Sequence, residues 1–262
     1  MGDRTLRLRS ASRSQSALVV LLLGLAGLAW WSSFEQMQGM DSGPWTALGG
    51  LGWFLGVWVV MMAAMMLPSA IPTVALYGGL ATDRTQACTL LFVSGYLAVW
   101  AASGLVVFAL ATAGGRVTGG VFAWDRAGRW AAGTTLLLAA AYELTPVKDA
   151  CLARCRMPLA FLLGSWEPGR SGALRMGTTH GAWCMGCCWA LMAALFALGV
   201  MSISWAALVA GLVALEKLLP WRRVATLGTA ALLVALGVLL LAAPEVVPAL
   251  ALPGSGGMPM AR

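Results

Sequence analysis

One stretch, His180-Gly181-Ala182-Trp183-Cys184-Met185-Gly186-Cys187-Cys188-Trp189, holds the only histidine and three of the six cysteines in the 262-residue chain. On a helix these four side chains follow the i, i+4, i+7, i+8 pattern, so the imidazole and three sulfurs share one face. Met176 extends the stripe one turn earlier. Imidazole with thiolates is a ligand set for soft or borderline metals, Cu(I) and Zn(II) above all, and hydrocarbon makes any idle polar group expensive. A metal or redox site is the expectation. The bland alternative is a buried stripe in which the cysteines act as small hydrophobes and Gly177, Gly181 and Gly186 let helices approach closely.

Four further groups extend this chemistry. Met61-Met62-Ala63-Ala64-Met65-Met66-Leu67-Pro68 offers two i, i+4 thioether pairs, Met61 with Met65 and Met62 with Met66, which suit Cu(I) but also serve as core filling. Cys151 and Cys155 are spaced to share a helical face, and flanking Lys and Arg are expected to lower their pKa values. They read as a metal relay, or as a resolving pair for a Cys184/Cys187 CxxC, or simply as part of an amphipathic interfacial helix. Glu143, Glu216 and Lys217 lie near the hydrocarbon boundary, either at the interface or paired inside the bundle. Either glutamate could also accept the second ring N–H of a ligating His180. Met37, Met40, Met258 and Met260 could form weak outer thioether sites.

The elements that must position these residues follow from composition. With 60% hydrophobic and 10% charged residues and a mean hydropathy of +0.83, the chain has too little polar surface for a soluble globule. An all-α, polytopic transmembrane bundle is expected, with seven spans near 15–33, 48–67, 87–112, 127–146, 173–200, 203–219 and 224–243. Residues 15–246 then form one transmembrane domain between a basic N-terminus, 1–14, and a Gly/Pro-rich tail, 247–262.

Arg4, Arg7, Arg9 and Arg13 place the N-terminus in the cytoplasm, and Lys148, Arg154, Arg156 and Arg170 return the loop 147–172 to the same side. Arg116, Arg126 and Arg129 fit that scheme least well. The net charge of +7 is accounted for by topology and anionic lipid, with no nucleic-acid partner implied. Trp30-Trp31-Ser32-Ser33 lacks a small-x-small cleavage pattern, so the first apolar run reads as a helix that is retained. Cysteines on the inner side are expected to be reduced.

The blocks Trp58 to Pro68, Tyr142 to Arg156 and His180 to Met192 resemble a bacterial family catalogued as predicted metal-binding integral membrane proteins. The resemblance runs from about Trp53 to Leu240, and its most specific patterns are HGxxCxGCCW and LTPxKxxCLxxCR. It implies a multi-pass protein of the bacterial inner membrane with metal-binding residues at Met61, Met62, Met65, Met66, Cys151, Cys155, His180, Cys184, Cys187 and Cys188.

Copper, as Cu(I), is the expected metal because thiolate, imidazole and thioether occur together, with zinc as the second choice. The residues read as a carrier or homeostasis site more than as an enzyme, and no catalytic residue is assigned. The competing reading is a membrane thiol–disulfide oxidoreductase using Cys184 and Cys187. A single histidine disfavours haem. The expected partners are the bilayer and a periplasmic or membrane metalloprotein, with oligomerisation open.

Overall fold

The computed structural model describes residues 19–33, 35, 50–80, 85–118, 128–199 and 202–242. The N-terminus 1–14, the tail 247–262 and the outer methionines Met37, Met40, Met258 and Met260 lie outside the described residues. The elements are α1 (Val19–Ser33), α2 (Leu51–Leu80), α3 (Thr85–Thr118), α4 (Arg129–Glu143), α5 (Pro146–Arg156), α6 (Pro158–Gly164), α7 (Gly169–Leu198), α8 (Ile203–Leu218) and α9 (Arg222–Ala242). The described residues are thus all helical, as expected.

The expectation of seven spans is corrected. Among the described residues, four helices are long and apolar enough to cross a membrane, namely α2, the Gln86–Gly114 part of α3, α7 and α9. Of the run near 15–33 the described residues include the 15-residue α1. The runs expected near 127–146 and 203–219 yield helices of 15 and 16 residues. At 1.5 Å per residue each of these two is about 23 Å long, short of the ~30 Å hydrocarbon core. In α4 the shortening has a local cause. Pro146 cannot continue a helix, so α4 stops at Glu143 and the chain turns at Leu144 and Thr145.

Pro146 then opens α5 at its first turn, where Thr145 caps it by accepting from the Lys148 N–H at 3.3 Å. The residues 147–172 are accordingly no open loop but contain α5 and α6, with Cys151, Leu152, Cys155, Phe161 and Leu162 buried. Pro68 and Pro72 interrupt α2 without ending it, and the second span runs past 67 to Leu80. Around Pro68 the Met66 carbonyl accepts from Ser69 Oγ at 2.8 Å and from Tyr96 OH at 3.4 Å.

At the centre α7 packs against α3, α4 and α5, and most extensively against α3. Gly177 makes the α3 contact possible, because a Cβ there would run into the backbone of Phe92. Gly186 does the same for α5, where a Cβ would stand 2.9 Å from Cys151 Sγ. The close approach expected of these glycines is therefore present.

Candidate metal centre

The α7 stripe faces inward along its whole length. Met176, His180, Cys184, Cys187 and Cys188 are all buried, at 1–3% exposure. Cys187 is the hub of the sulfurs. Its Sγ stands 3.4 Å from Cys188 Sγ and 3.8 Å from Cys155 Sγ, and donates to the Cys184 carbonyl at 3.1 Å. Cys151, one turn before Cys155 on α5, lies against Gly186. Helices α5 and α7 thus bring five of the six cysteines together, and all six are free thiols. Cys88 is buried on α3, apart from these contacts.

Cys184 keeps different company. Its sulfur lies 3.0 Å from Tyr96 OH and 3.1 Å from Lys217 Nζ, and Lys217 also donates to Ser69 Oγ at 3.1 Å. Lys217 is therefore inside the bundle and on the site, not at the interface. His180 sits among rings, with Phe161, Tyr96 and Phe92 centroids at 5.1, 5.8 and 6.0 Å. Its Nδ1 is buried and has no hydrogen-bond partner. An imidazole nitrogen left idle in an apolar cage is costly unless something binds it.

Met61, Met62, Met65 and Met66 are all buried on α2, at 0–4% exposure. Tyr96 ties this helix to the cysteines by bonding both Cys184 Sγ and the Met66 carbonyl. Among the described residues no group of three or more His, Cys, Asp or Glu side chains stands ready in metal-ligating geometry. Loading a metal therefore requires side-chain movement, most plainly release of Cys184 from its cation and phenol.

Glu143 and Glu216 do not hold His180. Both carboxylates bond the ammonium of Lys148, Glu216 at 2.7 Å, in a triad that is 0–2% exposed. The reason is geometric. Lys148 is five residues from Glu143 across the α4–α5 turn, and α8 packs on α5 at Glu216. Arg156 reinforces that packing by donating to the carbonyls of Glu216, at 2.8 Å, and Leu219, which would otherwise lack partners at the end of α8.

The expected acidification of the α5 thiols is also reversed. Burial pushes Cys151 above the ordinary thiol range against the pull of Arg154. Cys155 is raised by its hydrogen bond with Cys184 and by burial. Desolvation in a helix interface outweighs basic residues whose charges sit in solvent. Arg154 illustrates this, stacking 4.4 Å over the Trp183 ring.

Sequence reasoning missed Tyr96 and Lys217 as neighbours of the thiols and Ser69 as a partner of Lys217. Tyr96 carried a weak signal, as a phenol inside a long apolar run.

No curated protein and no solved structure matches the chain. A family model does, over residues 55–240, a range that includes every residue of the α2, α5 and α7 sets above. That match covers well over half of the chain, which therefore belongs to the PpoB2 family, described as a copper chaperone.

Proposed function

We propose that the chain is a multi-pass protein of the bacterial inner membrane that takes up Cu(I) as cargo and passes it to a periplasmic or membrane metalloprotein. The α7 residues His180, Cys184, Cys187 and Cys188 form the primary site. Met61, Met62, Met65 and Met66 line it from α2. Cys151 and Cys155 are the exchange partners on α5. The observation that carries this reading is the 3.8 Å approach of Cys155 to Cys187, which joins the α5 and α7 sulfurs into one set.

A chaperone must bind copper without trapping it. Sulfurs spaced at 3.4 and 3.8 Å allow the ion to acquire a new thiolate before it leaves the old one, so no step passes through a bare ion. Buried methionine sulfurs favour Cu(I) over Zn(II), which seldom takes thioethers. The four apolar helices are compatible with a membrane setting. Arg4, Arg7, Arg9 and Arg13 together with the basic α5 end support a cytoplasmic N-terminus.

The test is copper content of the full-length protein, purified in detergent under anaerobic reducing conditions, with and without the Cys184→Ser, Cys187→Ser, Cys188→Ser triple substitution. Near-stoichiometric copper that disappears in the variant is the expected result. Protein that neither carries nor rebinds copper overturns the reading and returns attention to thiol–disulfide exchange.

A further inference from the structure

Three aromatic rings enclose the His180 imidazole, and they are not held alike. Phe92 and Tyr96 belong to α3, which meets α7 backbone to backbone. A Cβ at Gly177 would run into the Phe92 carbonyl, one at Gly95 into the Leu174 carbonyl, and one at Gly181 would stand 3.0 Å from the Tyr96 carbonyl oxygen. Tyr96 is held further by Cys184 Sγ and the Met66 carbonyl, and the buried Phe92 stacks on Tyr77 at 5.0 Å. Both rings are locked between spanning helices.

The third ring, Phe161, is the nearest of the three at 5.1 Å and belongs to α6, which has only seven residues. Pro158 opens this helix without an N–H to donate, after an exposed, non-helical Met157 with φ −114° and ψ 73°. At the other end Ser165 closes it, and Gly169 takes φ +83°, a conformation open to glycine. Between these joints the chain is lightly tied. Trp166 leans on Tyr77 at 5.6 Å, the Glu167 N–H donates to Met176 Sδ at 3.4 Å, and Glu167 forms an exposed ion pair with Arg175. A thioether acceptor and a solvent-facing pair hold little. α6 rests on α2 and α5 through Phe161 and Leu162, while Leu159 and Leu163 face outward.

We propose that α6 is a lid over the copper site and that Phe161 controls the passage of Cu(I) to and from His180. The inference rests on the copper reading above. His180 Nδ1 is buried without a partner, and of the rings that cover it only Phe161 stands on a short segment flanked by two backbone joints. Cys155 lies two residues before the Met157 joint, so lid opening and sulfur exchange on α5 occur at the same end of the site. Turning α6 about Met157 and Gly169 lifts Phe161 away and leaves α3 and α7 in place. Exposing a buried phenylalanine ring slows such opening by about tenfold to a hundredfold.

His180 is the only histidine of the chain, so acylation of imidazole by diethyl pyrocarbonate, followed by the ultraviolet absorbance of the acylated ring, reports on this side chain alone. Full-length, metal-free protein in detergent is used. Phe161→Ala is expected to react about tenfold or more faster than wild type. Leu163→Ala, on the outward face of α6, and Leu233→Ala, in the core of α9, are expected to match wild type. Equal rates for wild type and Phe161→Ala overturn the proposal, as does equal acceleration by Leu233→Ala, which would mark general loosening. Should Phe161→Ala not fold, Phe161→Leu gives the same comparison with a smaller acceleration.

Stopped-flow loading with Cu(I) and its removal by a chelator separate access from ligation. Phe161→Ala is expected to raise both rates by the same factor and to leave the dissociation constant unchanged. A changed dissociation constant with only one rate altered would show that Phe161 shapes the ligand set, and overturns the lid. Wild type that binds no copper overturns the copper reading, while the acylation rates still decide whether α6 covers His180.

Discussion

The substitution Gly177→Ala tests whether the α3–α7 contact holds the thiol cluster together. A methyl at this position would stand 2.8 Å from the Phe92 carbonyl carbon and 3.0 Å from its Cα, where ordinary contact is about 3.5–4.0 Å. The obstructing atoms are backbone on both sides, so no rotamer change relieves the overlap and the helices must part by about 1 Å. Overpacking of this kind costs about 1–3 kcal/mol. The higher helix propensity of alanine returns at most about 1 kcal/mol.

Gly211→Ala on α8 is the matched control, since its methyl meets nothing within 4 Å. The difference between the two variants then isolates the interface term. Tyr96 lies one turn after Phe92 on the displaced helix. Its 3.0 Å contact with Cys184 would lengthen toward 4 Å, beyond hydrogen-bonding range. Thermal unfolding in detergent should be measured. Gly177→Ala is expected to unfold at lower temperature than wild type, and Gly211→Ala to match or exceed it. Equal stability of the two alanine variants would refute the reasoning.

Three other outcomes are expected. Lys148→Met leaves two buried carboxylates without their cation and should destabilise the protein by about 3–5 kcal/mol, with much of the loss recovered when Glu143→Gln and Glu216→Gln are added; denaturant titration of both variants checks this. His180→Phe should lower copper affinity while leaving the melting temperature within a few degrees of wild type, because a ring still fills the space among Phe161, Tyr96 and Phe92 and the Nδ1 removed bonds no protein group; a drop in stability without a change in affinity would count against a ligand role. Because the folded-state pKa values of Cys151 and Cys155 are raised, their neutral forms stabilise the fold below the ordinary thiol pKa, and that contribution is lost as pH rises through the folded values. Metal-free protein should therefore unfold more readily above about pH 8.5, and Cys151→Ala/Cys155→Ala should flatten the slope of melting temperature against pH.

What was legible in the sequence was whatever depends on local periodicity. The His180, Cys184, Cys187, Cys188 stripe is a property of one helix, and the turn at Pro146 is a property of one residue, so both survive in the fold. The Met61–Met66 face is buried for the same reason. Helix length was less legible, because hydropathy runs continue through residues that the backbone uses for turns.

Tertiary structure alone decided which faces meet. Tyr96 and Cys184 are 88 residues apart, Lys148 and Glu216 are 68, and Cys184 and Lys217 are 33. A periodic pattern fixes the angle of a side chain about its own helix but says nothing of the rotation of the neighbouring helix. That rotation is set by close approach at Gly177 and Gly186 and by the pairing of buried charges. It placed Lys217 on a thiol and Glu216 on Lys148, although the two residues are adjacent in the chain.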